Sequence, residues 1–136
     1  YNVLRNQLLP SLLEVLKNNK HNEYPQKIGE IAVVFPTKKG KHQEETHLAI
    51  AITDTTTSFT QIKQVIEALL RSLNIKYAIK EKDHPSFIQG RTASINIQGK
   101  EAGYLGEIHP KVLKSFQLEM PVTALEIDLR ELYKKN

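Results

Sequence analysis

The chain contains five histidines, but their spacing does not match a metal-binding motif. No two lie three or four residues apart, and the absence of cysteine removes both thiolate ligands and a thiol nucleophile. The sequence also lacks a Gly-x-Ser-x-Gly nucleophile turn and the glycine patterns that bind phosphates or dinucleotides. The carboxylates are scattered along the chain. The residue types therefore predict no self-contained catalytic centre, and the histidines are His21, His42, His47, His84 and His109.

Lysines are concentrated in one polar segment, where Lys38, Lys39 and Lys41 follow one another closely. The chain carries 19 basic and 15 acidic side chains, a net charge of +4, so the basic excess is mild. Lysine contacts to phosphates are the sequence-independent part of nucleic-acid affinity. No aromatic residue lies between these lysines to stack on bases. The segment is typical of a solvated loop, and contact with RNA is the alternative.

Apolar periodicity predicts the elements around these residues. Leucines between residues 8 and 16 recur at helical spacing, and residues 58–73 combine a capping-box pattern with a second helical stripe. Residues 27–35 are apolar on both parities, which predicts a central strand buried on both faces. Glu30 within this strand needs a partner, and we expect an ion pair with Arg or Lys rather than a ligand contact.

About six strands and three or four helices follow along the chain, with consecutive strand pairs. This order predicts an α+β fold in which helices flank a largely antiparallel sheet. The turn signal Gln98-Gly99 predicts a hairpin between two of these strands. The 136 residues predict a single domain, and a first residue that is Tyr rather than Met indicates a fragment of a longer chain. The longest apolar runs have five residues, so no membrane helix is predicted, and the lack of cysteine fits a reducing compartment.

Four ordered blocks of the sequence resemble the phenylalanyl-tRNA synthetase beta subunit family. They extend over essentially the whole chain, which is more specific than a single motif. The blocks are LRNQLLPSLL (4–13) with IGEI (28–31), HPSFIQGRTA (84–93), GYLGEIHP (103–110) and LEIDL (125–129). The early end of the chain after the last block is similar to archaeal and eukaryotic cytosolic beta subunits.

This resemblance implies a C-terminal domain with a class II synthetase-like core that does not itself catalyse. Class II enzymes follow the motif 2 strand with an Arg-x-Glu, whose arginine holds the ATP α-phosphate. Here Pro36 stands where that arginine would fall, and the glycine-rich, arginine-ending motif 3 helix is also missing. Because charge-assisted arginine contacts are what such a site must supply, no catalytic residue is expected in this chain.

The family implies a scaffold role beside a catalytic alpha subunit, in a cytoplasmic heterotetramer that charges tRNA(Phe) with phenylalanine. ATP and magnesium would serve the holoenzyme, with no cofactor or metal in this fragment, and the fragment is expected to self-associate. The alternatives are a stand-alone class II paralogue that regulates or binds a ligand, and a small RNA-binding module. The residues expected to contact the partner or RNA are Arg5, Glu30, Lys38, Lys39, Lys41, His84 and Arg91.

Overall fold

The computed structural model describes residues 5–133, with the side chains of Lys38 and His42 outside that description. Within this range the chain forms four helices and eight strands. In chain order they are α1 (Leu9–Asn18), β1 (Gln26–Val34), β2 (Thr37–Lys38), β3 (Lys41–His42), β4 (Glu45–Thr53), α2 (Phe59–Ser72), β5 (Ala78–Glu81), β6 (Phe87–Ile97), β7 (Lys100–Ile108), α3 (Pro110–Ser115), β8 (Val122–Asp128) and α4 (Arg130–Tyr133).

Six of the strands form one sheet in the order β1-β4-β8-β7-β6-β5, and every neighbouring pair is antiparallel. The remaining strands, β2 and β3, pair as a short ribbon in the loop between β1 and β4. The prediction of an α+β fold with a six-stranded antiparallel sheet is confirmed. All seven residues of β8 are buried, so β8 is the strand that the core encloses.

The prediction that residues 27–35 form a central strand is wrong, because β1 lies at an edge of the sheet. Its burial alternates along the strand, and Ile31 is 63% exposed. One face of β1 packs against α1, whereas the opposite face extends beyond the area that α2 covers. Both the odd and the even positions of β1 carry apolar residues, but only one face of the strand is buried.

Helix α1 covers one face of the sheet with the predicted leucine stripe. Pro10 lies in its first turn, where the missing N–H costs no hydrogen bond. The stripe packs with β4 and β8 residues in one apolar cluster, as predicted. The leucines, each at most 3% exposed, are Leu8, Leu9, Leu12, Leu13 and Leu16.

Helix α2 covers the opposite face, mainly over β7 and β8. The Ser58 hydroxyl accepts a hydrogen bond from the Gln61 N–H at 3.3 Å, which confirms one half of the predicted capping box. The other half differs, because the Gln61 side chain accepts from the Thr57 hydroxyl at 2.8 Å. Ile62 and Ile66 on the helix are completely buried in the second apolar cluster.

Strands β6 and β7 form the predicted hairpin through a tight turn. Gln98 and Gly99 both have positive φ values, 56° and 76°. Gly103 in β7 allows the close approach of β8, since a Cβ there would lie 2.2 Å from the carbonyl oxygen of Glu126. The glycine therefore permits the packing of the two strands that carry the polar cluster described below.

Leu4, at the start of the first sequence block, lies outside the described range. Across residues 5–133, no helix combines the length and the apolar character needed to cross a lipid bilayer.

Candidate functional site

A buried polar cluster lies on the face of the sheet that α1 covers, beside the start of that helix. Its centre is Glu126 of β8, which is only 1% exposed. Register places Glu126 opposite Ala49 of β4 on one side and Tyr104 of β7 on the other. A buried carboxylate is costly unless it is paired and hydrogen-bonded, so its partners determine what the cluster does.

Glu126 caps helix α1 from a distance of more than a hundred residues along the chain. Leu8, the residue at the N-cap, has no side-chain oxygen to accept the free N–H groups of the first turn. The Glu126 carboxylate accepts from the backbone N–H of Leu8 and of Leu9, each at 2.9 Å. Negative charge is favoured at this position because the helix dipole places partial positive charge there.

His47 of β4 bridges two carboxylates. Its Nδ1 lies 2.5 Å from Glu126 Oε2, and its Nε2 lies 2.9 Å from Glu45 Oε1. Burial of the imidazole opposes its charge, but the hydrogen bonds and the charges of Glu126 and Glu45 outweigh burial, and the pKa of His47 is raised. The protonated ring can donate to both carboxylates at once.

Arg130, at the start of α4, completes the cluster. Its Nη2 lies 2.8 Å from Asp128 Oδ2 and 3.0 Å from Glu45 Oε2, and its Nε contacts Asp128 Oδ1 at 3.1 Å. Burial alone would raise the pKa of Asp128, but hydrogen bonds from Arg130 outweigh it and lower that pKa. The carboxylate of Asp128 is thus held in its charged form by a bidentate guanidinium, which also contacts Glu45.

The charges of this cluster nearly balance. Three carboxylates face one imidazolium and one guanidinium, and the positive end of α1 adds to the cationic side. Ligand atoms of Glu45, His47 and Asp128 lie within 4.8 Å of one another, close enough to hold a metal ion. Both nitrogens of His47 and both oxygens of Asp128 are already engaged, so a metal would have to displace Arg130 and the carboxylate contacts.

His84, one of the residues singled out from the sequence, borders this cluster. Its ring stacks on Tyr104 with centroids 4.5 Å apart and meets the edge of Phe87 at 5.0 Å. Burial lowers the pKa of His84. The Tyr104 hydroxyl lies 2.9 Å from Gln7 Oε1 and 3.1 Å from Glu126 Oε1, and burial raises the pKa of Tyr104.

The structure brings Arg5 and Glu30 together, as the sequence predicts for Glu30. Arg5 Nη1 lies 3.3 Å from Glu30 Oε2 and 3.1 Å from the Ser11 hydroxyl. Both charged side chains are about one-third exposed. This pair joins the segment before α1 to β1, at the rim of the sheet.

Arg91 pairs with Glu107 at 3.1 Å, on the side of the molecule where α2 begins. The other oxygen of Glu107 accepts from the Phe59 N–H at 2.9 Å, so a strand carboxylate also caps α2. Arg91 remains 61% exposed and borders a largely apolar cleft of about 350 Å³. The cleft includes Leu113 and Val122 among its lining residues.

The lysine segment forms a projecting ribbon. Lys38 pairs with Lys41 across β2 and β3, and Lys39 occupies the turn with a φ of 52°. Lys39 and Lys41 are exposed, whereas the side chain of Lys38 lies outside the description. None of the seven contact residues expected from the sequence belongs to the buried cluster itself, and their contact with a partner or RNA stays a prediction.

Sequence reasoning missed the members of the buried cluster. His47, Tyr104 and Glu126 are far apart along the chain, and only the strand order brings them together. One signal was available: Glu126 stands between the apolar residues Leu125 and Ile127, where its charge requires a partner. Among the described residues, no buried side-chain nitrogen or oxygen lacks a hydrogen-bond partner. The arrangement therefore holds α1 and α4 to the sheet rather than presenting free groups to a substrate.

Comparison with known proteins gives a consistent family. Residues 1–129 match the family model described as the phenylalanyl tRNA synthetase beta chain CLM domain. The phenylalanine–tRNA ligase beta subunit of Pyrococcus abyssi is 43% identical over 137 residues, covering 98% of this chain and 25% of that protein. The Thermococcus onnurineus beta subunit is 42% identical over 138 residues, covering 99% of this chain and 24% of that protein. The Archaeoglobus fulgidus beta subunit is 41% identical over 133 residues, covering 98% of this chain and 24% of that protein.

The chain spans about a quarter of the length of the curated relatives that it matches. The similarity extends through all four sequence blocks and through the strands that carry Glu107 and Glu126. The chain belongs to the phenylalanyl tRNA synthetase beta chain CLM domain family.

Proposed function

We propose that this chain is a non-catalytic domain of a phenylalanine–tRNA ligase beta subunit. It supports ATP-dependent charging of tRNA(Phe) with phenylalanine by pairing with the catalytic alpha subunit. The observation that carries this proposal is the family match across residues 1–129, together with relatives named as beta subunits of this ligase. The domain has a class II synthetase-like core in this proposal, consistent with its six-stranded antiparallel sheet.

The buried cluster supports a structural role. A helix N-terminus that faces a pocket is suited to binding a phosphate or a carboxylate. At the start of α1 that position is already filled by the carboxylate of Glu126. Arg130, the cation of this cluster, already forms ion pairs with Glu45 and Asp128. The groups that would otherwise bind an anionic substrate instead neutralise one another.

The end of β1 supports the same conclusion. Pro36 lies two residues after the last residue of β1, and in this proposal it stands where a class II enzyme carries the arginine that binds ATP. Proline offers neither a cation nor a backbone N–H to a phosphate. ATP and magnesium therefore act in the catalytic subunit of a cytoplasmic heterotetramer, and tRNA(Phe) binds through the whole enzyme.

A mixing experiment tests the pairing. The chain and a phenylalanine–tRNA ligase alpha subunit are sedimented separately and together in the analytical ultracentrifuge. The proposal predicts a new species heavier than either component, and two unchanged boundaries at every mixing ratio would contradict it. Arg91→Ala and His84→Ala test the predicted contacts, with Lys80→Ala on the exposed part of β5 as the matched control.

A further inference from the structure

The two edges of the six-stranded sheet differ in length and in charge. At one edge, β5 has four residues, carries Lys80 and is followed by Lys82, which pairs with Glu101 of β7. Short strands and lysines are the devices with which proteins prevent edge-to-edge association. At the other edge, β1 has nine residues and carries apolar side chains on its exposed face. The β1 edge is therefore the longer one, and its exposed face carries a single lysine, Lys27, near the start of the strand.

The exposed face of β1 carries an uncharged patch from Gly29 to Val33, and Lys27 lies on the same face before it. Ile31 is 63% exposed and Val33 is 39% exposed, and Gly29 lies on the same face. Leu48 and Ile50 of β4, which lie opposite Ile31 and Gly29, extend the patch and are only half-buried. Across residues 5–133, β1 has a strand neighbour on one side only. A partner must therefore offer an apolar, uncharged strand.

We propose that β1 pairs antiparallel with β1 of a second copy of this chain, which joins the two sheets into one. The patch is centred near the middle of its strand, so a two-fold axis can place it against itself. This inference concerns the chain by itself and does not depend on the function proposed above.

Charge, hydrogen bonding and burial of the exposed apolar side chains together favour one register. An axis at Gly29 would place Ile31 opposite Lys27 and leave Val33 unpaired. The free edge ends at Val34, because the Phe35 N–H already donates to the Arg5 carbonyl at 2.6 Å. With the axis at Glu30, two carboxylates would face each other, which is destabilising. With the axis at Ile31, seven residues from each strand pair, Ile31 faces its own copy and Gly29 faces Val33. Glu30 then lies opposite Ala32, and no like charges meet.

Cysteine cross-linking tests this register directly, since the chain has no cysteine of its own. Residues directly opposite in an antiparallel pair have Cβ atoms about 5 Å apart, close enough for a disulfide. Ile31→Cys is expected to give a covalent dimer on mild oxidation. Val33→Cys alone is the matched control, because each copy of that residue lies about 13 Å from the other. A mixture of Val33→Cys and Gly29→Cys is expected to link again.

Sedimentation tests the association without oxidation. A strand-edge contact is smaller than a standard interface, so we expect a weak dimer that appears between about 10 µM and about 1 mM. Ile31→Lys is expected to weaken it at least about tenfold, because a lysine protects the edge. Leu73→Lys replaces an equally apolar residue at the C-terminal cap of α2 that is 43% exposed, and should leave dimerisation unchanged.

Ile31→Thr, which keeps a β-branched side chain, replaces the lysine variant if that variant does not fold. A wild-type chain that stays monomeric throughout the concentration range overturns the proposal. So does a dimer that Ile31→Lys leaves intact, or one in which Val33→Cys cross-links as efficiently as Ile31→Cys. Each of these results would be obtained without the alpha subunit, and none bears on the ligase function.

Discussion

Replacing Glu126 by Gln changes the charge at the centre of the buried cluster while nearly preserving its volume. The carboxylate accepts from Leu8 and Leu9, contacts the Tyr104 hydroxyl and forms a buried ion pair with His47. The side-chain amide of Gln has only one acceptor oxygen, so its NH₂ group would take the place of one carboxylate oxygen and could not accept from the backbone N–H groups at the start of α1. His47 would also lose its closest counter-charge.

The expected loss of stability follows from these contacts. Removing one partner of a buried ion pair costs about 3–5 kcal/mol, because the remaining charge is left buried. The amide of Gln keeps part of the hydrogen bonding, which places the Glu126→Gln loss at the lower end, about 3 kcal/mol. A small domain has a total stability of about 5–15 kcal/mol, so the effect is readily measured.

Urea unfolding at pH 6.5 measures this loss, with Glu30→Gln as the control. Glu30 also forms an ion pair on the same face of the sheet, but both partners are about one-third exposed, so its loss should be no more than about 1 kcal/mol. The Glu126→Gln midpoint should fall well below that of the control while the slope stays the same. Equal midpoints for the two variants would refute the assignment of Glu126 as the residue that holds α1.

Three further predictions follow from the histidines, the glycines and the lysine ribbon. Because the pKa of His47 is raised, its contribution to stability is complete below pH 6.5 and is lost as the pH rises through the raised pKa. Because the pKa of His84 is lowered, its contribution to stability is complete above pH 6.5 and is lost as the pH falls through the lowered pKa. Urea midpoints should therefore be highest near pH 6.5, and His47→Gln should flatten only the alkaline side; a wild-type midpoint that rises steadily with pH contradicts this. Gly103→Ala should lower the free energy of unfolding by about 3 kcal/mol, because the new Cβ would meet the backbone of β8. Gly29→Ala, whose Cβ would lie 3.4 Å from its nearest neighbour, should change that free energy by about 0.5 kcal/mol or less. Equal losses in thermal unfolding would argue against the close approach of β7 and β8 at Gly103. If the loop contacts RNA, tRNA affinity should fall with salt with a logarithmic slope of about −2 to −3, and replacing Lys38, Lys39 and Lys41 by Ala should abolish it; undetectable binding at low salt excludes that contact.

Local patterns were sufficient to predict the helices and the hairpin turn. The leucine stripe of α1 and the Ile62–Ile66 stripe of α2 are buried as helical spacing requires. Gln98 and Gly99 adopt the positive φ values expected of a tight turn. These features depend on residues that are close together in the sequence, so the chain itself contains the information.

The position of β1 could not be predicted in the same way. Apolar residues on both parities are typical of a strand enclosed on both faces, yet Ile31 and Val33 face outwards. Helix α2 lies over β7 and β8 and leaves this part of the sheet uncovered, which depends on tertiary packing rather than on β1. The apolar residues that led to the wrong prediction of a central strand are the residues that form the surface proposed for dimerisation.

The buried cluster required knowledge of the strand order. His47, Tyr104 and Glu126 lie on β4, β7 and β8, which are neighbours in the sheet although far apart in the chain. The desolvation argument that found a partner for Glu30 applies with more force to Glu126, whose neighbours in β8 are all buried. That argument predicts that a partner exists, but only the register identifies it as His47 and the start of α1.

In the function proposed above, this chain supports catalysis without performing it. ATP–pyrophosphate exchange in the presence of phenylalanine is the decisive assay, because exchange reports adenylate formation without requiring tRNA. We expect no phenylalanine-dependent exchange by the chain alone and exchange only when the catalytic alpha subunit is present. Phenylalanine-dependent exchange by the chain alone, lost on heat denaturation, would contradict the non-catalytic role and the interpretation of Pro36.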